Sequence, residues 1–419
     1  MIRRLLMAAT IAAAPFAQGS ATERCQIEKL TPAQEKKLGR WIQQDNWLSP
    51  GHLRAAQTHA PTFMPSIRIT PPAVSGNRGA KPALIDLAKV ETLDPTDEQR
   101  RSLHFILSHR IDADAMVAMR NGKIIAEYFR DGTDPGQPRM LLSGGRPILS
   151  LLAAVAISQG HLAIDKAVGR ALPGGTETPS LRKLSVRRLL DGEAHFAFND
   201  AQLAQWRDIS GWRGTAAGNL HKWLASPELW EAATASESPP PPLGRPEDDL
   251  LAWVVAESQK DSLSSLLCDN LLAPMRAEHP ALWLTDGSGN ELAAGLALAP
   301  RDLALVGQFL LDNRLANKRG AIPEWLMAAL SATATHRTDP ALSGFPGGSE
   351  LRYGFVRLGG KSSRIALLGP YGTSLLVDFD RRTVVALFAT HASPASPLLF
   401  ATLEQLWQAI AKSSTRKSP

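Results

Sequence analysis

One apolar stretch constrains the fold more than any other part of this chain. Nearly every side chain in residues 148–157 is apolar. A helix of this composition has no polar face to turn to water, so the stretch predicts a helix through the interior of a domain, ended by Gly160. Ser143 lies one turn ahead, where the positive end of a helix favours a nucleophile or a bound anion. The simpler alternative is that Ser143 is only the N-cap.

Composition predicts a large globular protein. With 419 residues and 44% hydrophobic side chains, the chain can bury the core of one large domain or two interleaved ones. The formal charge of +6 would suit a polyanionic partner. Because the lysines and arginines are spread along the chain without an aromatic-interleaved basic block, we expect no nucleic-acid binding.

The N-terminus has the features of a secretory signal. Arg3 and Arg4 precede an apolar run over residues 5–14, and cleavage after Ala17 or Ala21 would follow a small residue. The run is too short to span a bilayer, which takes roughly 20 residues. We therefore expect residues 1–21 to be removed and the mature protein to be periplasmic or secreted, without a stable membrane span.

Residues 22–110 are expected to form an N-terminal extension packed on the main domain. Residues 28–60 have helical spacing, and residues 61–82 are rich in Pro, Ser and Gly, which favours an extended surface segment. The chain has two cysteines, Cys25 and Cys268. In an exported protein they can form a disulfide; the alternative is two free thiols, and the sequence leaves both open.

Strand pairs near both ends of the main domain predict its architecture. Residues 115–120 and 123–129 are two strand-like runs joined by Asn121-Gly122, a strong hairpin signal. Residues 374–379 and 383–389 form a second predicted hairpin, followed by an amphipathic helix over residues 397–412. The pattern predicts an α+β fold with one antiparallel sheet built from both termini and an all-helical insert.

These segments resemble the serine β-lactamase and penicillin-binding-protein superfamily, especially its esterase and 6-aminohexanoate-dimer hydrolase branch. The matching segments are residues 117–124, 143–157, 183–190, 283–286, 301–311 and 353–355. The resemblance implies a β-lactamase-like domain over residues 111–419, with an α/β part at about 111–170 and 350–411 and the helical insert at about 171–349. It also implies an acyl-serine mechanism at Ser143 on a small ester or amide, without a cofactor.

The chain departs from the family at the lysine and tyrosine motifs. The family has Ser-x-x-Lys, whereas this chain has Arg146 at the lysine position. A guanidinium keeps its proton in proteins, so Arg146 cannot be the general base, although it could hold an anion. The family's Tyr-x-Asn should fall near residues 243–245, and that region has no tyrosine.

The third motif, Gly-x-His-Gly-Gln in the hydrolase branch, corresponds to residues 369–373. Gly369, Gly372 and Thr373 are therefore the predicted substrate-binding residues. Tyr371 could act as a displaced base if nearby cations lower the pKa of its phenol, and the alternative is a ring that only packs.

Two other lysines are weaker candidates. Lys361 in Lys-Ser-Ser resembles a shifted Lys-Thr-Gly motif, and Lys183 in Ser-x-x-Lys is more typical of a solvated charge. The histidines lack ligand-like spacing, which predicts no metal site.

Two functions remain open on the sequence. The first is an exported serine hydrolase that acts through Ser143 with a rearranged base such as Tyr371 or Lys361. The second is a non-catalytic relative that binds a ligand or cell-wall fragment in the same cleft. The altered motifs favour lost or strongly reduced hydrolysis.

Overall fold

The computed structural model describes residues 24–32, 46–73, 84–174, 178–194, 196–213, 218–230, 243–316, 321–332 and 339–413. The predicted signal segment, residues 1–21, lies outside these ranges.

Within these ranges the strands are β1 (Gln26–Leu30), β2 (Ser66–Thr70), β3 (Glu91–Leu93), β4 (Arg100–Ser102), β5 (Ala113–Arg120), β6 (Lys123–Phe129), β7 (Arg139–Met140), β8 (Ala281–Thr285), β9 (Glu291–Leu298), β10 (Glu350–Arg352), β11 (Phe355–Arg357), β12 (Arg364–Leu368), β13 (Ser374–Asp378) and β14 (Thr383–Ala389). The helices are α1 (Pro50–His59), α2 (Leu103–Phe105), α3 (Arg146–Ser158), α4 (Pro179–Lys183), α5 (Val186–Leu190), α6 (Asp200–Ser210), α7 (Leu220–Leu224), α8 (Pro246–Gln259), α9 (Leu263–Leu267), α10 (Pro300–Ala316), α11 (Glu324–Ser331) and α12 (Pro397–Lys412).

The main sheet has seven antiparallel strands in the order β10-β11-β12-β13-β14-β5-β6. Its β14 and β5 pair side by side, with Ala386 opposite Val117, so the two ends of the domain meet within this sheet. Both predicted hairpins and the final helix are confirmed. The Asn121-Gly122 turn has the positive φ values, 51° and 75°, that this dipeptide favours.

Helices cover both faces of the main sheet. Alternating residues of β5 point to opposite sides: Met116 packs in the cluster that contains α12, and Val117 in the cluster that contains α3 and α10. Residues 147–156 of α3 are all buried, which confirms the predicted interior helix. The α+β fold class is therefore confirmed.

A second sheet corrects three details of the sequence prediction. Its order is β1-β2-β8-β9-β7, so the N-terminal extension supplies two strands. Residues 28–30, predicted to be helical, belong to strand β1, and residues 66–70 form β2 instead of a surface segment. The insert is not all helical, because it contains β8 and β9. Ile67 and Ile69 are buried on either side of exposed Arg68, a strand periodicity that the flanking prolines obscured.

The two cysteines form a disulfide between residue 25, just before β1, and residue 268, just after α9. Their Cα atoms are 6.0 Å apart, while 243 positions separate them in the sequence. The disulfide alternative is therefore confirmed. None of the described helices combines the length and apolar character needed to cross a bilayer.

Candidate functional site

Ser143 lies in a short 3₁₀ turn, Leu142–Gly145, that leads directly into α3. The N-cap position of α3 is occupied by Gly145, without a side-chain cap. The alternative that Ser143 is the N-cap of α3 is therefore wrong. Among the described residues, none hydrogen bonds to the Ser143 hydroxyl, which is partly exposed at the wall of a cavity.

Two glycines let the Ser143 turn approach its neighbours closely. A Cβ on Gly144 would lie 3.0 Å from the Cα of Gly369, just after β12. A Cβ on Gly145 would lie 2.8 Å from the carbonyl oxygen of Ala293 in β9. The Ser143 turn therefore lies in close contact with both sheets, and Gly369 lies beside it.

The cavity beside Ser143 has a volume of about 340 Å³. This is within the range of small-molecule sites. One part of its lining is apolar: Ala341, Leu342, Leu351, Val356, Leu368 and Phe400. Charged residues form another part: Arg146, Asp191, Glu193, Arg245, Glu247, Asp248, Asp339 and Arg352.

Arg146 is held by partners other than Ser143. Its Nε donates to Asp248 Oδ1 at 2.8 Å, and its Nη1 donates to Ser150 Oγ at 2.6 Å. Its Nη2 donates to the carbonyl oxygens of Leu189 at 2.7 Å and Leu190 at 3.1 Å. Burial lowers the pKa of Arg146 and Asp248 opposes that shift, but a guanidinium stays protonated at neutral pH. Arg146 therefore links α3 to α5 and α8.

Tyr371 is not placed to accept a proton from Ser143. Its hydroxyl donates to the carbonyl oxygen of Leu48 at 3.1 Å, and the residue is absent from the cavity lining. Burial raises the pKa of the phenol, so it stays protonated at neutral pH. This geometry corrects the prediction of Tyr371 as the displaced base.

The other predicted site residues divide between the cavity and the surrounding structure. Gly369 lines the cavity, whereas Gly372 and Thr373 are buried in the following turn and are absent from the lining. Lys361 is exposed in the β11–β12 connection, and Lys183 is exposed at the end of α4. Neither lysine lines the cavity, and the solvated state expected for Lys183 is confirmed.

The start of α8 supplies site residues that the sequence did not single out. The family tyrosine motif was expected near residues 243–245, and Arg245, Glu247 and Asp248 line the cavity there. Acidic residues are common in the first turn of any helix, so these carboxylates carried no distinct signal. Among the described residues, no three potential ligands are grouped to hold a metal ion.

Two carboxyl groups of the cavity are buried with one oxygen unpaired. Glu247 is 5% exposed; its Oε1 accepts a hydrogen bond from the Phe196 backbone N–H at 3.2 Å, and its Oε2 has no hydrogen-bond partner among the described residues. Burial raises the pKa of Glu247 to about 7. Asp191 is 8% exposed; its Oδ2 lies 3.2 Å from Arg352 Nη1, and within the described ranges its Oδ1 has no hydrogen-bond partner. Burial also raises the pKa of Asp191.

The fold is that of the β-lactamase and penicillin-binding-protein superfamily of serine hydrolases. A penicillin-binding protein from Bacillus halodurans aligns with a TM-score of 0.53 and 12% identity, over 72% of this chain and 98% of that one. A candidate 6-aminohexanoate-dimer hydrolase from Bacillus anthracis aligns with a TM-score of 0.73 and 19% identity, over 91% and 98%.

In sequence, the chain is similar to the 6-aminohexanoate-dimer hydrolase of Paenarthrobacter ureafaciens. The two are 25% identical over 369 residues, which cover 84% of this chain and 88% of the relative. No protein-family model matches the chain. The superfamily resemblance inferred from the motifs is thus confirmed.

Proposed function

We propose that the protein is an exported β-lactamase-related protein that binds a small ester- or amide-like molecule beside Ser143, with hydrolysis lost or strongly reduced. One observation carries this proposal. Arg146, at the family's lysine position, directs its donors to Asp248, Ser150 and two backbone carbonyls. Among the described residues, the Ser143 hydroxyl therefore has no partner that accepts its proton.

The chemistry of acyl transfer explains why this loss matters. A serine hydroxyl is a weak nucleophile at neutral pH unless a nearby base removes its proton. A positioned general base typically contributes about 10²–10⁴-fold to the rate. The family lysine is replaced here, and Tyr371 donates to Leu48. We therefore expect turnover to be lower than that of a family member with its base in place by at least this factor.

The ligand class follows from the cavity and from the relatives. The name of the relative denotes hydrolysis of a 6-aminohexanoate dimer, which supports a small amide or a related ester here. A cavity of about 340 Å³ with an apolar side and a charged side can enclose such a molecule.

A hydrolase with a different base is the second candidate, and one observation favours it. Glu247 lines the same cavity, and no described residue hydrogen bonds to its Oε2. Burial raises its pKa to about 7, a value suited to proton transfer near neutral pH. In that function Glu247 would take the Ser143 proton, directly or through water, and pass it to the leaving group.

Covalent labelling of Ser143 tests the proposal. The purified protein would be treated with a fluorophosphonate and with labelled penicillin, and the masses of its peptides measured. We expect no adduct on Ser143, and the same p-nitrophenyl ester background for the wild type and Ser143→Ala. An adduct at Ser143 that is absent from Ser143→Ala would show a competent nucleophile and favour the second candidate.

A further inference from the structure

Positive charge is least compensated in one segment of the chain. Residues 166–188 contain six of the 46 lysines and arginines but one of the 40 acidic residues, Glu177, which lies outside the described ranges. The segment therefore has a formal charge of +5, against +6 for the whole chain. Since the rest of the protein is close to neutral, an anionic partner would be attracted mainly to this segment.

The fold brings the two ends of this segment together. Ala167 and Ser185 form an antiparallel bridge, beside which the Val186 N–H donates to the Lys166 carbonyl oxygen at 3.0 Å. The 3₁₀ turn Val168–Arg170 packs against α4. Six exposed cations of these elements form what we call the basic surface: Lys166, Arg170, Arg182, Lys183, Arg187 and Arg188.

Few carboxylates oppose the basic surface. Arg187 pairs with Asp165 at 2.8 Å, and the same carboxylate lies near Lys166. Among the described residues, no carboxylate pairs with the other four cations of the surface. Protein surfaces usually intersperse charges of both signs, so this arrangement produces a local field of one sign.

The composition of the basic surface favours a bilayer over other anionic partners. Residues 162–192 contain no aromatic side chain on which a nucleotide base could stack. None of the exposed large hydrophobic residues of the described chain lies there to form the apolar core of a protein interface. An anionic bilayer needs neither, because its head groups present many negative charges to exposed cations.

We propose that the basic surface binds an anionic phospholipid bilayer, with Arg170, Arg182 and Lys183 as the cations that no described carboxylate neutralises. The absence of exposed apolar side chains makes this attraction electrostatic, so salt should weaken it strongly. The protein would therefore associate with the bilayer peripherally and reversibly.

The basic surface borders the Ser143 cavity. Arg188 and Leu189 are consecutive residues of α5, and Leu189 lines the cavity. Binding through this surface would hold the cavity close to the lipid head groups. The proposal does not depend on whether Ser143 reacts, so labelling of that residue and lipid binding are separate outcomes.

Vesicle sedimentation tests the partner. The purified protein would be mixed with vesicles of phosphatidylcholine alone or with about 30% phosphatidylglycerol, and the bound fraction measured. We expect about tenfold tighter binding to the anionic vesicles at about 0.1 M salt. This preference should disappear at about 1 M salt, where the screening length falls from about 10 Å to about 3 Å. Equal binding to both vesicles, a preference that survives high salt, or no binding would overturn the proposal.

Paired variants locate the binding on the fold. Arg182→Gln combined with Lys183→Gln should weaken binding to the anionic vesicles by about tenfold. The matched control combines Lys123→Gln with Arg382→Gln, which removes the same charge from exposed hairpin ends of the main sheet. It should keep wild-type binding, and both variants should keep the wild-type melting temperature. Equal weakening in the two variants would show that net charge, and not the basic surface, causes the binding.

Competitors separate the bilayer from other anions. Inorganic phosphate or duplex DNA would be added with the anionic vesicles at constant ionic strength. We expect millimolar phosphate to leave binding unchanged, because one phosphate cannot contact cations spread over α4, α5 and the 3₁₀ turn. Displacement by phosphate would indicate a discrete phosphate site, and tighter binding of DNA would indicate a nucleic-acid surface. Either result would overturn the proposal.

Discussion

At the residue scale, Arg146 stands where the resemblance to the family predicts a catalytic lysine, and its donors go to structural partners. A lysine ammonium on this helix could lose its proton to act as a base, whereas the guanidinium cannot. The planar guanidinium instead donates hydrogen bonds to Asp248, to Ser150 and to a carbonyl at the end of α5. A single ammonium cannot reproduce this geometry. The change at this position therefore alters both the chemistry and the packing of the site.

Arg146→Lys should not restore hydrolysis. The variant lacks the family tyrosine and should lose donors to the carbonyl oxygens of Leu189 and Leu190, lowering the free energy of unfolding by about 2–3 kcal/mol. Urea denaturation and p-nitrophenyl acetate turnover measure the two effects. Arg187→Lys, at an exposed pair with Asp165, is the control and should change stability by less than about 1 kcal/mol. Substantial turnover in Arg146→Lys would contradict this account.

Glu247 makes the stability of the protein depend on pH. Burial raises its pKa from 4.5 to about 7, with the neighbouring Asp248 adding to the rise and Arg245 opposing it. Between these values the folded state binds the proton more tightly than the unfolded state. This contribution to stability is present below about pH 4.5, falls as the pH rises and is lost above about 7.

Glu247→Gln should therefore be more stable than the wild type at alkaline pH. At pH 8 we expect a gain of about 2–3 kcal/mol in the free energy of unfolding, and at pH 4 almost none. Denaturant titrations at the two pH values measure this difference, with Glu257→Gln as the control. An equal effect of Glu247→Gln at both pH values would show that the buried carboxylate is not the cause.

At the scale of elements, the second sheet is built from strands that are far apart in the sequence. Strand β2 pairs with β8 of the insert and with β1, while the disulfide joins the start of β1 to the end of α9. Helix α1 is tied to the main sheet through Arg54, which donates to Asp112 at 2.8 Å and to buried Asp114 at 2.5 Å. The N-terminal extension is thus hydrogen-bonded into the fold.

Loss of the disulfide should lower stability measurably. In the chain-entropy model a loop of this length contributes roughly 5 kcal/mol, and native disulfides typically contribute about 2–5 kcal/mol. Cys25→Ser combined with Cys268→Ser should lower the free energy of unfolding by this amount and reduce the melting temperature. Dithiothreitol should destabilise the wild type and leave the double variant unchanged. Identical melting curves for the two proteins would refute the prediction.

At the scale of the whole molecule, the disulfide supports the proposed export. Disulfides persist mainly in oxidising compartments, and residues 1–21 have the composition of a secretory signal. We expect the protein to appear outside the cytoplasm with a mature N-terminus at residue 18 or 22. Fractionation and N-terminal mass analysis would check this, with a chain lacking residues 2–21 retained in the cytoplasm as the control. Full-length protein confined to the cytoplasm would contradict export.

The sequence by itself determined the elements with a local pattern. The apolar run of α3, the Asn121-Gly122 hairpin and the amphipathic α12 are each specified within about twenty residues, because periodicity and turn chemistry act on neighbours. Only the tertiary structure decided which distant groups meet. Arg146 and Asp248 are 102 positions apart, and Cys25 and Cys268 are 243 apart. The burial of the Glu247 and Asp191 carboxyl groups is a property of the packed cavity, which no local pattern records.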